Sequence, residues 1–164
     1  MERDKTWVAP SGATLWMSYL DRDDDVMRYQ GQAFNWIGFD ELTQWPTPYP
    51  WNYMRSRLRT TKASGLPLYM RATSNPGGPG HQWVKKTFID PETPNKSFWA
   101  TDTDTGEIIC WPKGHTKEDE PLFKRRFIPA NLFDNPYLAD DGMYEANLLS
   151  LPEHQRRQLL EGDW

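Results

Sequence analysis

An apolar run over 33–39 (Ala-Phe-Asn-Trp-Ile-Gly-Phe) stops abruptly at two adjacent carboxylates, Asp40 and Glu41. Phosphoryl transfer to water needs one acid to hold Mg²⁺ through its water shell and a second to orient and deprotonate the attacking water. The end of a buried strand offers both acids a rigid support facing a crevice. A second apolar run, over 66–73, ends in Thr73, Ser74 and Asn75. Their hydroxyl and amide groups are suited to sensing a terminal phosphate or the attacking water. The loop Pro76-Gly77-Gly78-Pro79-Gly80 then leads into His81 and a helix. A glycine loop entering a helix can bind an anion, but no Lys-Ser or Lys-Thr directly follows these glycines. Each piece also has a plainer reading. A second Asp-Glu pair, Asp119-Glu120, sits in a polar stretch and reads as a solvated turn, and residues 74–80 also suit an ordinary strand-to-helix turn.

The elements that must position these groups follow from pattern. Residues 13–19, after the turn Pro10-Ser11-Gly12, predict a strand, and Asp21 to Asp25 an acidic turn. The runs over 33–39 and 66–73 are too short for helices and suit strands buried on both faces. The Pro46, Pro48 and Pro50 spacing breaks the chain before a short helix over 51–60, and a further helix is expected over 81–89. Strand with acids, helix, strand with polar tip, helix is a parallel α/β unit with its chemistry on one edge. The two strands should therefore be adjacent and parallel, with Asp40 and Thr73 at the same edge. Residues 97–111 predict a hairpin around Asp104-Thr105-Gly106, and 112–121 a polar, mobile loop. A strand is expected over 125–129, and helices over 138–149 and 152–161, the last with Pro152 at its first turn.

Composition sets the bounds. The 164 residues suffice for one domain with one core, and 37% hydrophobic residues with 14 Pro and 11 Gly suit a loop-rich globular chain. Nine Trp, seven Tyr and seven Phe imply a core rich in aromatic rings. A net charge of −4 predicts neither a nucleic-acid coat nor a membrane-binding surface, so any DNA contact must be local. The single cysteine, Cys110, excludes an internal disulfide framework and suits a reducing compartment. His81, His115 and His154 are spread out without cysteine partners, which argues against a zinc site. No apolar stretch approaches the roughly 20 residues of a membrane span, and Met1-Glu2-Arg3-Asp4-Lys5 does not open a signal peptide.

Six segments, in order, resemble the large terminase subunits of tailed phages. They are Pro10-Ser11-Gly12-Ala13-Thr14-Leu15, Arg28-Tyr29-Gln30-Gly31, Ile37-Gly38-Phe39-Asp40-Glu41-Leu42, the stretch from Arg71-Ala72-Thr73-Ser74-Asn75 through Pro76-Gly77-Gly78-Pro79-Gly80-His81, Asp134-Asn135-Pro136-Tyr137-Leu138, and Leu159-Leu160-Glu161-Gly162-Asp163-Trp164. The likeness is weakest over 92–120. It implies the second half of an ATPase motor domain. The fold would be part of a three-layer P-loop NTPase (ASCE-type) architecture with a mostly parallel sheet, a small β-hairpin excursion and C-terminal helices. Residues 1–91 would form the core, 92–121 the excursion, and 122–164 the last strand and helices leading to a nuclease domain.

By that resemblance Asp40 matches the Walker B acid that organises Mg²⁺, Glu41 the catalytic glutamate, and Thr73, Ser74 and Asn75 the coupling motif that links ATP hydrolysis to DNA movement. It further implies ATP and Mg²⁺ as cofactors in the complete enzyme and the host cytoplasm as its place. Double-stranded DNA, the portal protein, the terminase small subunit and the remainder of the large subunit would be its partners, with no membrane. The departures are that no Gly-Lys dipeptide occurs, so there is no phosphate-binding loop, and that the nuclease acids are missing. Met1 is then expected to be an internal start or a fragment boundary. Two other readings remain at this point. One is a non-catalytic terminase remnant or split-gene piece acting only as a binding module; the other is an unrelated ASCE-type ATPase or helicase fragment.

Overall fold

The computed structural model describes residues 6–60, 64–102, 104–110, 121–140 and 142–164. The chain is mixed α/β, and its sheets have two strands each: β1 (Thr6–Val8) with β2 (Thr14–Trp16), β3 (Trp36–Phe39) with β4 (Tyr69–Ala72), and β5 (Ser97–Trp99) with β6 (Lys124–Arg126). Among the described residues, β3–β4 is the one parallel strand pair, with a single parallel bridge between Phe34 and Leu58 beside it; the other two pairs are antiparallel. A mostly parallel sheet is thus not what the described residues form.

The helices are α1 (Tyr49–Arg55), α2 (His81–Val84, continued by a π turn over Lys85–Ile89), α3 (Pro136–Ala139), α4 (Met143–Leu149) and α5 (Glu153–Leu159). Helix α1 starts earlier and stops sooner than the 51–60 expectation. Pro50 fits its first turn, where a missing N–H is harmless. Beyond Arg55 the chain leaves the helix to bridge Phe34: the Phe34 N–H donates to the Arg57 carbonyl (2.9 Å) and the Arg59 N–H to the Phe34 carbonyl (3.2 Å). The expected 138–149 helix is divided into α3 and α4, with Gly142 at φ 62 between them.

The acidic stretch at 21–25 opens a 3₁₀ helix, Asp23–Tyr29. Asp25 folds back to accept the N–H groups of Asp21 (2.7 Å) and Arg22 (3.0 Å), so its charge caps the segment instead of merely lining a turn. The hairpin expectation holds only at its tip. Thr101 bridges Ile108, and Gly106 takes φ 76. The longer pairing of β5, however, is with β6, which closes the excursion from the far side. The mobile loop expected over 112–121 falls, for 112–120, outside the described residues.

Two buried clusters flank β3–β4. Val26, Tyr29, Ile37 and Met54 form one; Leu42, Trp51 and Val84 form the other, and Phe39 and Met70 pack against both. Each such aliphatic side chain contributes about 1.5–3 kcal/mol through burial. Trp51 meets Phe39 (5.5 Å between centroids) and Phe88 (5.4 Å, edge-on), so aromatic rings do hold the second cluster. Many other rings stay exposed, among them Trp7, Trp16, Trp36 and Trp99.

Candidate active site at the tips of the parallel strands

The β3–β4 register pairs Phe39 with Ala72, so Asp40 and Thr73 leave the two strands side by side. The Thr73 Oγ1 hydroxyl donates to Asp40 Oδ1 and accepts the Glu41 N–H at 3.2 Å. One hydroxyl therefore joins the Asp40 carboxylate to the Glu41 backbone. Glu41 itself is left-handed, at φ 50 and ψ 57. A residue with a Cβ pays about 1–3 kcal/mol for such a conformation and keeps it only where its surroundings enforce it.

The enforcement is visible bond by bond. The Leu42 N–H donates to the Thr73 carbonyl (2.9 Å), and the Thr43 N–H to Ser74 Oγ (3.1 Å). Thr43 Oγ1 accepts from Ser74 Oγ (3.1 Å) and donates to the Asn75 carbonyl (3.0 Å). Thr43 is 2% exposed and Leu42 likewise, so the turn after Glu41 is anchored in the core. Asp40, Glu41, Thr73 and Asn75 remain exposed. All five residues singled out in the sequence thus converge on one edge, on an open surface.

The glycine loop has a different use from anion binding. The Gly80 N–H donates to the Thr43 carbonyl at 2.8 Å, and a Cβ on Gly80 would lie 2.0 Å from the Trp45 carbonyl oxygen. A Cβ on Gly78 would lie 2.8 Å from the Thr43 carbonyl oxygen. Glycines here let the 75–80 loop press its backbone against the 43–45 turn. Trp83 Nε1 closes the contact by donating to the Trp45 carbonyl (2.7 Å).

A cleft of about 380 Å³ opens beside Glu41, walled on one side by Gln44, Asn75 and Gly77 and on the other by Gln155 and Gln158 of α5. Among the described residues, no lysine or arginine lines it. His81 Nδ1 accepts the Gly77 N–H (2.9 Å), and its ring stacks on Trp164 at 5.6 Å. Lys85 Nζ donates to the Trp164 backbone oxygen (2.6 Å). Thr43, Gln155 and Gln158 had not been singled out in the sequence. Thr43 is signalled by its position just after the acids; the glutamines carry no local signal, because a distant helix brings them in.

No family model, curated protein or solved structure matches this chain. Among the described residues, no His, Cys, Asp or Glu cluster of three or more gathers to hold a metal ion, and no helix is long and apolar enough to cross a membrane.

Proposed function

We propose that this chain is a segment of an ATP-driven DNA-packaging motor of the tailed-phage terminase type, contributing the acids and coupling loop of the nucleotide site. The observation that carries the reading is the Asp40–Thr73–Glu41 arrangement: two adjacent acids at a strand end, joined through one hydroxyl to the polar tip of the parallel neighbour. Glu41 would orient and deprotonate the attacking water, with its backbone fixed by Thr73 and the buried Thr43. Asp40 would hold Mg²⁺. A single carboxylate suits that ion, which keeps several waters and takes its other ligands from phosphate oxygens. When bound, the ion would neutralise charge building on the phosphoryl oxygens. Thr73, Ser74 and Asn75, bonded directly to the 41–43 turn, would pass the state of the acids into the loop and helix beyond.

The chain needs help to bind ATP. Among the described residues the cleft beside Glu41 has no cationic side chain, whereas β- and γ-phosphates are normally cradled by a P-loop and its lysine. Trp36 and Tyr69, register partners on one face of β3–β4, are each 42% exposed, although parallel sheets are normally covered on both faces. Both features fit a site completed by the P-loop-bearing remainder of a large subunit, whose strands would extend β3–β4 into the three-layer fold. Double-stranded DNA, portal protein and small subunit would be the further partners, in the host cytoplasm. The test is packaging by the complete motor carrying Asn75→Ala. DNA translocation should fall while ATP affinity stays near wild type; packaging at the wild-type rate would remove the coupling role.

A further inference from the structure

Arg125, the middle residue of β6, is 8% exposed. A guanidinium is seldom buried so far without full pairing, because its charge must be compensated once water is gone. Here the compensation is partial. Nη1 donates to the Thr101 carbonyl (2.9 Å), and Cζ lies 5.3 Å from the centroid of Phe88. Nη2 is closed off from solvent and has no hydrogen-bond partner among the described residues.

A second guanidinium stands nearby. Arg55, the last residue of α1, lies over Phe123 with Cζ 5.2 Å from the ring centroid. Burial first, and then the positive charge of Arg55, push Arg125 down to about 10, which leaves it charged at neutral pH; Asp102 opposes this with a smaller effect. Burial lowers Arg55 as well, again against the pull of Asp102. Asp102 is already committed, since its Oδ1 accepts the N–H groups of Asp104 (2.9 Å) and Thr105 (2.8 Å) at the hairpin tip. Among the described residues, no ion pair joins it to either arginine. Two cations and one engaged carboxylate among the described residues leave this corner of α1, β6 and the hairpin one negative charge short.

We infer that Arg55 and Arg125 form a binding site for a small phosphate-type oxyanion, a free phosphate or a terminal phosphate group. Guanidinium forks match the oxygens of such an anion, and charge-assisted bonds of this kind are about twice as strong as neutral ones. A tetrahedral oxyanion entering past the half-buried Arg55 meets the unpartnered Nη2 of Arg125, and the negative charge relieves the repulsion between the two cations. Nη2 is closed from solvent, so the anion reaches it only when the half-buried Arg55 side chain moves aside, and a compact oxyanion needs a smaller opening than a nucleic-acid backbone. The inference does not depend on the reading of Asp40 and Glu41.

The experiment uses the full 164-residue chain, ¹⁵N-labelled, with the arginine Nε–Hε signals followed by NMR. Inorganic phosphate is added against chloride at matched ionic strength. Saturable movement of the Arg125 and Arg55 signals is expected, weakened about tenfold or more in Arg55→Gln, which removes the less buried partner. Arg125→Lys should lose a similar factor because it keeps charge but not the fork. The β5–β6 amide signals report that both variants are folded; should Arg125→Lys unfold, the Arg55→Gln comparison decides. Signals that do not move in phosphate, or an unchanged phosphate affinity in Arg55→Gln, overturn the site. So does movement with a short DNA duplex but not with phosphate.

Discussion

The strand-tip region and the Arg55–Arg125 corner treat polar groups in opposite ways. At the tips, the charges of Asp40 and Glu41 stay in water, while the uncharged groups beneath them are buried and bonded: Thr43 is 2% exposed, and its hydroxyl both accepts and donates. In the corner the charge itself is buried, and Arg125 Nη2 goes without a partner. A satisfied network fixes geometry, which is what a catalytic support requires. An unsatisfied cation creates a demand that an anion can meet. Buried polarity thus serves as scaffold in one place and receptor in the other.

Substitutions can break this contrast. The largest effect is expected from Gly80→Ala, whose Cβ would meet the Trp45 carbonyl oxygen at 2.0 Å. Backbone must move to admit it, so urea denaturation should show a loss of about 3 kcal/mol. A loss near zero would mean that the loop does not press on the turn. Thr43→Val keeps the shape but removes the buried hydroxyl that accepts from Ser74 Oγ and donates to the Asn75 carbonyl, at a cost of about 2 kcal/mol by the same measurement. Amide exchange at Leu42 and Thr43 should quicken with it.

The corner should behave differently. Arg125→Met replaces an incompletely paired buried cation with an apolar side chain of similar length. Stability should stay within about 1 kcal/mol of wild type in phosphate-free buffer, despite the loss of a buried charged residue. A collapse comparable to Gly80→Ala would make Arg125 a structural strut and erase the distinction. Smaller still, and opposite in sign, is Glu41→Gly. Glycine accepts φ 50 freely, so calorimetry should show a gain of about 0.5 kcal/mol, with the acid function removed. A loss of stability would mean that the Glu41 side chain supports the turn and is not held there at a cost.

The smallest effect is a pH dependence at the hairpin tip. Backbone N–H groups of Thr105, then Asp104, hold the Asp102 carboxyl below its usual range. A depressed folded value means that the unfolded chain binds the proton more readily. The stabilisation is therefore complete above the ordinary aspartate range, near 4, and is lost as pH falls through the lower folded value. NMR titration of the Asp102 carboxyl should give a midpoint below that of an unstructured peptide carrying the same residues.

Placement was legible in the sequence wherever pattern and pairing coincide. The apolar runs ending in Asp40-Glu41 and Thr73-Ser74-Asn75 are adjacent parallel strands with their polar ends together, because a helical crossover between short apolar strands leaves little other choice. Extents were less legible. The chain after the Pro46, Pro48 and Pro50 break suggested a helix through residue 60, but Phe34 draws the chain into an extended bridge after Arg55. The glycines at 78 and 80 read as loop or anion cradle, when close backbone packing against Thr43 and Trp45 is their use. Gln158 and the Arg55–Arg125 pair could not be found at all, since each joins segments far apart in the chain and no spacing marks them.

The most direct test of the central claim is phosphate release from MgATP by the complete motor containing this segment, wild type against Glu41→Gln, with nucleotide affinity measured in parallel. The 164-residue chain alone should release no phosphate above background. In the complete motor, Glu41→Gln should abolish release while affinity stays within about twofold, because the glutamate acts on water and adds little to ground-state binding. Wild-type turnover in Glu41→Gln would contradict the account.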